Sequence, residues 1–167
     1  MAARTKGTHA AIEIKAHILI IEARYYEAVA DALLEGALAE LQAAGATFDK
    51  ITVPGALEIP QVLAQAVAAG LIPAEDVGGR YDGAVVLGCV IRGETSHYDI
   101  VCNNANHWLM DVAMRAHVPL GNAILTVNTE VQALARAQGG RDGKGAVAVR
   151  ACLSIVQIAR AFEDVES

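Results

Sequence analysis

The chain has 167 residues, which is enough for one ordinary domain with a buried core. Its formal net charge of −6 argues against a general nucleic-acid binder and against binding to anionic membranes, because both need a basic surface. Hydrophobic residues make up 54% of the sequence but aromatic residues only 4%, so alanine, valine, leucine and isoleucine must build the core.

The polar start of the chain lacks the apolar centre of a secretory signal, and we therefore expect a cytoplasmic protein. We assign residues 1–17 to an N-terminal arm, either flexible or paired with a neighbouring subunit, and residues 18–167 to a single domain. The purely apolar runs are too short to cross a bilayer, so we expect no membrane association. The three cysteines are too widely spaced for a disulfide framework or a zinc site, which indicates reduced thiols.

The first half of the domain alternates between strand and helix patterns. The run AHILIIEA (16–23) predicts a strand, and the helical spacing after it ends at Gly45, a residue suited to a C-cap. Four apolar side chains are expected to share one face of this helix: Ala28, Ala32, Leu33 and Leu41. The run FDKITVPG (48–55) predicts a second strand, and a helix over 58–69 accommodates Pro60 only in its first turn.

The second half repeats the alternation after a polar connection, LIPAEDVGGRYD. GAVVLGCVI (83–91) is the clearest buried strand, and a long helix is expected from Ser96 or His97 to Ala116. GNAILTVN predicts a fourth strand, followed by a helix with Thr129 as its N-cap, the loop QGGRDGKG and a last helix. Because every crossover is too long for a hairpin, the pattern predicts an α/β fold: a four-stranded parallel sheet with helices on both faces.

Aromatic, acidic, basic and imidazole side chains follow the four predicted strands. In open parallel sheets, ligands bind beyond the carboxyl ends of the strands. Their convergence there predicts a small-molecule site. The residues are Arg24, Tyr25 and Tyr26 after the first strand, Glu58 after the second, residues 92–99 after the third, and Thr126, Val127 and Asn128 after the fourth.

The segment RGETSH has two interpretations, to which spacing alone gives about equal weight. Backbone N–H groups at the start of the helix would bind an anion such as phosphate, with Arg136 supplying a guanidinium. Alternatively, Thr95 or Ser96 is only an N-cap and Arg136 only a surface charge.

His97 is the best candidate for proton transfer, because imidazole side chains exchange protons readily at neutral pH and Asp99 is close in sequence. The alternative is a structural histidine. Tyr25 and Tyr26 either stack on a flat heterocycle or pack at the start of their helix. Lys144, in a glycine-flanked loop, is either solvated or a partner for a carbonyl or phosphate group. Neither a GxGxxG nor a GxxxxGK[ST] motif is present, and we expect no metal.

The segments VPGALEIP, GCVIRGETSHYDIVCN and GNAILTVNTEVQALARA, with GKG after them, resemble the lumazine synthase family of riboflavin biosynthesis. The resemblance implies condensation of 5-amino-6-(D-ribitylamino)uracil with 3,4-dihydroxy-2-butanone 4-phosphate. The products would be 6,7-dimethyl-8-ribityllumazine, phosphate and water, made without a metal or organic cofactor. It also implies a flavodoxin-like three-layer sandwich, and a homopentamer with active sites between neighbouring subunits.

The resemblance assigns roles to individual residues. His97 would be the catalytic proton-transfer group, and Tyr25 would stack on the pyrimidine. Most substrate-binding positions would come from the same subunit: Ala56, Leu57, Glu58 and Ile59 at the ribityl chain and pyrimidine, Val90, Ile91 and Arg92 at the heterocycle, and Glu94 and Thr95 at the phosphate. The adjacent subunit would contribute Asn122, Arg136 and Lys144.

Three positions depart from the family pattern: Tyr25 is usually Phe or Trp, Tyr26 is commonly Asn, and Asn122 is often aromatic. Two rival interpretations stay open. One is a lumazine- or flavin-binding protein without efficient catalysis, and the other is a structural capsid role. The loop QGGRDGKG lacks the Gly-x-Lys-x-Gly-Asn pattern of many capsid formers, which favours a pentamer over an icosahedral 60-mer.

Overall fold

The computed structural model describes residues 10–74 and 78–166, and its centre is one parallel sheet. The strands are β1 (His17–Ala23), β2 (Thr47–Val53), β3 (Gly83–Ile91) and β4 (Leu120–Val127). They lie side by side in the order β2-β1-β3-β4, and every neighbouring pair is parallel. This confirms the four-stranded parallel sheet, and β3 has the predicted bounds.

Helices cover both faces of the sheet. They are α1 (Glu27–Ala44), α2 (Ile59–Ala68), α3 (His97–Ala116), α4 (Glu130–Ala137) and α5 (Lys144–Glu166). Alternate side chains of β1 enter two separate cores: Ile18 and Ile20 pack with α1, α4 and α5, whereas Leu19 and Ile21 pack with α2 and α3. The flavodoxin-like three-layer sandwich is therefore confirmed.

The predicted helix ends are confirmed at two positions. Gly45 ends α1 in the left-handed conformation, with φ of 75°. Thr129 precedes α4, and its Oγ1 accepts a hydrogen bond from the Gln132 backbone N–H at 3.2 Å. One detail was wrong: Ala28 is exposed, because the buried face of α1 runs through Val29 and Leu33, one position further along.

Residues 10–16, which we assigned to the arm, lie against the domain. The Ile14 N–H donates to the Ala44 carbonyl at 3.0 Å, and the Lys15 carbonyl accepts from Arg160 Nη1 at 2.9 Å. His17 already belongs to β1. The remainder of the predicted arm, residues 1–9, lies outside the described residues.

Helix α5 is long and apolar enough to cross a membrane, by length and composition alone. Its side chains Ala146, Val149, Cys152 and Leu153 are buried in the core over the sheet. This is the arrangement of a core helix in a globular domain.

The loop between α4 and α5 is anchored on α1. The Glu40 carboxylate, buried in α1, lies 2.7 Å from Arg141 and 3.1 Å from Arg150. A Cβ on Gly145 would come within 2.0 Å of the Leu33 carbonyl, so only glycine allows this contact with α1. The packing fixes where α5 starts.

Candidate active site

A cavity of about 380 Å³ lies beyond the carboxyl ends of β1, β2 and β3. The chain adds β2 on one side of β1 and then β3 and β4 on the other side, so the topological switch point lies between β1 and β3. In open α/β sheets, ligands bind at this point. The cavity is lined by Tyr25, Tyr26, Gly55, Ala56, Leu57, Glu58, Cys89, Val90, Ile91, Gly93, Thr95, His97, Tyr98 and Val101. Three of the four predicted segments therefore converge at one edge of the sheet.

Two tyrosines form one wall of the cavity. The rings of Tyr25 and Tyr26 meet edge to face, with centroids 5.0 Å apart. Tyr25 is 75% exposed and free to cover a flat ligand, whereas Tyr26 is half-buried. Burial raises the pKa of the Tyr26 phenol, and the neighbouring Tyr25, Cys89 and Glu130 raise it further. Tyr26 is therefore a neutral hydrogen-bonding group at neutral pH.

The segment after β2 supplies three of the four residues assigned there. Ala56, Leu57 and Glu58 form a short 3₁₀ turn that lines the cavity. Ile59 does not line it. Its side chain is fully buried in the core with α2 and α3, next to Gly88 of β3. The sequence could not show that Ile59, unlike the three residues before it, points into the core. Successive side chains in the turn and at the start of α2 point in different directions.

The end of β3 contributes Cys89, Val90 and Ile91 to the cavity floor. Burial raises the pKa of the Cys89 thiol to about 11, and Glu130 and Cys102 add to the shift. The thiol therefore stays protonated at neutral pH and behaves as a small apolar side chain.

Arg92 is not among the lining residues. Its guanidinium lies 4.3 Å from the centroid of the Tyr98 ring, and its Nε donates to Asn128 Oδ1 at 3.2 Å. Arg92 also lies 3.7 Å from the carboxylate of Asp99, which we expected beside His97.

The loop before α3 brings Gly93, Thr95 and His97 to the cavity, whereas Glu94 is exposed outside its lining. Ser96 stands at the N-cap but its side chain makes no capping bond; instead Thr95 Oγ1 accepts from the His97 N–H at 3.3 Å. Thr95 thus both caps the helix and faces the cavity. Anion binding by this segment stays a prediction.

Asn122, Arg136 and Lys144 lie away from the cavity lining of their own chain. Asn122 Nδ2 donates to Asn106 Oδ1 at 2.8 Å, and Arg136 Nη1 donates to the Gln132 carbonyl at 2.9 Å. Lys144 is exposed and is the first residue of α5, not a loop residue as expected. The described residues that line the cavity include no arginine or lysine.

Metal-ligating side chains do not cluster in the described part of the chain: no three His, Cys, Asp or Glu residues there are arranged to hold an ion. The polar groups of the cavity suit an organic ligand with hydroxyl or carbonyl groups.

Comparison with known proteins agrees with this geometry. The model of the family described as 6,7-dimethyl-8-ribityllumazine synthase matches residues 15–160. This chain belongs to the lumazine synthase family. It is 54% identical to "6,7-dimethyl-8-ribityllumazine synthase 1" of Rhodopseudomonas palustris over 145 residues, which cover 87% of this chain and 86% of the relative. It is 52% identical to the synthase of Agrobacterium fabrum over 144 residues, 86% of this chain and 95% of the relative.

Membership of the lumazine synthase family confirms the resemblance seen in PGALEIP and VIRGETSHYD. The structure adds cavity residues that the sequence did not indicate, among them Cys89. Tyr98 lies in the predicted segment 92–99, although the sequence assigned it no role of its own. Cys89 had no signal in the sequence, because a cysteine inside an apolar strand is indistinguishable from core.

Proposed function

We propose that the chain catalyses the lumazine synthase reaction. It would condense 5-amino-6-(D-ribitylamino)uracil with 3,4-dihydroxy-2-butanone 4-phosphate, yielding 6,7-dimethyl-8-ribityllumazine, phosphate and water. Its membership of the family and the names of its relatives support this. The observation that carries the proposal is the cavity at the β1–β3 switch point, where an aromatic wall faces His97.

The cavity offers complementary groups to the pyrimidine substrate. We assign stacking on the pyrimidine to the exposed ring of Tyr25, which stands at the mouth of the cavity. The Glu58 carboxylate is an acceptor for ribityl hydroxyl groups, and Ala56, Leu57, Val90 and Ile91 supply apolar contacts. Binding both substrates side by side in this geometry accounts for much of the expected acceleration, since the amine and the ketone are reactive already.

His97 is the proposed proton-transfer group. The amine of the pyrimidine attacks the ketone, and the carbinolamine must lose water to form an imine before phosphate is eliminated. Each step moves a proton, and an imidazole exchanges protons readily near neutral pH. His97 lies in the first turn of α3 with Thr95 beside it, so proton transfer and phosphate binding occur at one end of the cavity.

We further propose that the active site is shared between subunits of a homo-oligomer, with a pentamer favoured over a 60-mer. The phosphate needs a cation, yet the cavity lining of one chain contains neither arginine nor lysine among the described residues. Arg136 and Lys144 are exposed and lie outside the lining of their own chain's cavity, so they are available to a neighbouring cavity.

An exposed apolar surface on α2 and α3 supports association with a second copy. A groove there is lined by Leu57, Pro60, Gln61, Ala64, Asn104, Trp108 and Val112. Trp108, the largest side chain of this groove, is 52% exposed, and tryptophan is enriched at interfaces between proteins. The groove shares Leu57 with the active-site cavity, so an interface formed there would lie beside the site.

The remaining expectations are also part of the proposal: a cytoplasmic location, no cofactor, and no nucleic-acid or membrane partner. The acidic balance of the chain and its three free thiols, of which Cys152 is buried and Cys89 and Cys102 are half-buried, support them.

The test is lumazine formation from the two substrates, followed by absorbance and fluorescence against the spontaneous reaction. We expect clear acceleration, and a slower but detectable rate in His97→Ala, because substrate positioning remains. His117→Asn is a matched control: this exposed histidine ends α3 with φ of 56°, a conformation that asparagine tolerates. Wild-type protein that binds lumazine without accelerating its formation would favour the binding-protein interpretation instead.

A further inference from the structure

We propose that Arg92 is a positioning residue, which holds Tyr98 and thereby the first turn of α3 that carries His97. This inference rests on the function proposed above and changes the role of Arg92 from substrate contact to support of the proton-transfer group.

The backbone of Arg92 is fixed at the junction of two strands. Arg92 follows the last residue of β3, and its N–H donates to the Val127 carbonyl at 2.9 Å, at the end of β4. The strand pair β3–β4 therefore determines where the side chain starts.

The guanidinium of Arg92 contacts an aromatic ring with one face and polar side chains with its nitrogen atoms. One face covers the Tyr98 ring at 4.3 Å. Its Nε donates to Asn128 Oδ1 at 3.2 Å, and Nη2 lies 3.7 Å from Asp99 Oδ1. A planar cation in this arrangement joins the end of β4 to the first turn of α3.

The Tyr98 side chain is half-buried. Burial raises the pKa of its phenol, nearby Cys102 of α3 raises it further, and Thr126 of β4 lowers it; the side chain lines the cavity next to His97. The ring therefore lies between Arg92 on its face and side chains of α3 and β4 near its hydroxyl.

The imidazole of His97 depends on this support. Among the contacts of the described residues, its side chain has no hydrogen-bond partner, and its backbone N–H donates to Thr95 Oγ1. Its orientation therefore follows the backbone of the first turn of α3. The two residues that follow it, Tyr98 and Asp99, are both contacted by Arg92.

A double-mutant cycle tests the proposal kinetically. We expect Arg92→Ala to lower kcat about tenfold or more, since small displacements of catalytic groups are costly, while KM for the pyrimidine changes less than about threefold. Arg92→Lys should not restore kcat, because lysine keeps the charge but not the planar stack. In a Tyr98→Leu background, Arg92→Ala should cause little further loss. The control is Arg115→Ala, an exposed arginine at the far end of the same helix.

Several results would overturn the proposal. A raised KM with unchanged kcat in Arg92→Ala would make Arg92 a direct substrate contact. A wild-type kcat in Arg92→Lys would show that only the charge of Arg92 matters. Losses of kcat that simply add in the double mutant would show that Arg92 does not act through Tyr98.

A second measurement needs no turnover and uses the four proteins of the cycle: wild type, Arg92→Ala, Tyr98→Leu and the double variant. The imidazole C–H resonance of His97, followed by NMR in the absence of substrate, should shift in Arg92→Ala but not shift further when Tyr98 is already leucine. An unmoved resonance in Arg92→Ala contradicts the positioning role. A wild-type protein that fails to accelerate lumazine formation counts against the proposed function alone, because this readout still decides the role of Arg92.

Discussion

The carboxylate of Glu22 lies 3.1 Å from the guanidinium of Arg24, at the end of β1 where the aromatic wall of the cavity begins. The Glu22 side chain is 1% exposed, and it also accepts from Lys50 Nζ and Thr52 Oγ1, each at 3.0 Å. A buried carboxylate with three donors is well satisfied, and its removal takes a partner from Arg24, Lys50 and Thr52 at once and leaves a gap in the interior.

Glu22→Ala is therefore expected to lower the free energy of unfolding by about 3 kcal/mol. Asp31→Ala is the matched control, because Asp31 also pairs with Arg24 but is 71% exposed; we expect a loss of less than about 1 kcal/mol there. Urea unfolding at one fixed protein concentration measures both values. Equal losses for the two variants would contradict the importance of burial.

Tyr81 links the stability of the β1–β2 edge to pH. Its hydroxyl donates to Asp49 Oδ2 at 2.7 Å, and this bond, followed by the contact with His17, holds the pKa of Asp49 below its usual range. The folded state thus keeps Asp49 ionised at a pH where the unfolded chain would protonate it. This contribution is present above the unfolded pKa of about 4 and is lost as pH falls through the folded pKa.

In Tyr81→Phe, the free energy of unfolding should consequently depend less on pH in the acid range. Between about pH 5 and pH 2, the wild-type protein is expected to lose more of its free energy of unfolding than the variant. Urea midpoints measured across this range, with Asp49→Asn as the second variant, provide the check. Parallel curves for all three proteins would show that the Tyr81–Asp49 bond does not contribute.

Hydrophobic periodicity and the residue types at turns and helix ends predicted most of the fold. The run GAVVLGCVI has the same bounds as β3, and Thr129 caps α4 as its residue type indicates. These features are local, so the sequence is sufficient for them. Ala28 was assigned to the wrong face of α1, because a helix rich in small apolar residues has no sharp boundary between its buried and exposed sides.

The site was less predictable than the fold. Motifs identified Tyr25, Glu58 and His97, which the fold brings to one cavity. They could not reveal that the Arg92 guanidinium lies over the Tyr98 ring, since this contact depends on the path of the loop between β3 and α3. Nor could they show that Lys144 begins α5, which depends on how closely the preceding loop packs on α1.

Cys89 is expected to be unreactive although it lines the cavity. Its pKa of about 11 leaves roughly a hundredfold less thiolate at pH 8 than an ordinary cysteine has. Alkylation by iodoacetamide, followed by mass spectrometry, should be slow in the native protein and fast in urea. Glu130→Gln should accelerate it, because the negative charge of Glu130 contributes to the raised pKa. Rapid labelling of the native wild-type protein would contradict the half-buried, protonated thiol.

Subunit complementation tests the proposed sharing of the active site. In a shared site, His97 comes from one subunit and Arg136 from its neighbour. Co-expression of equal amounts of His97→Ala and Arg136→Ala chains, carrying different tags, should then produce mixed assemblies with about one quarter of their sites intact.

We expect these mixed assemblies to be more active than either variant alone. Each variant expressed separately is the control, and activity is compared at equal subunit concentration. Mixed assemblies that are no more active than the average of the two variants would place both residues in the same subunit.

The most direct test of the proposed reaction measures lumazine and inorganic phosphate together, from the ribitylaminouracil and the butanone phosphate. We predict that the wild-type protein releases both above the spontaneous rate and in equal amounts, and that Arg136→Ala raises KM chiefly for the phosphorylated substrate. Wild-type protein that gives no acceleration, or an Arg136→Ala variant whose KM for that substrate is unchanged, would contradict the account.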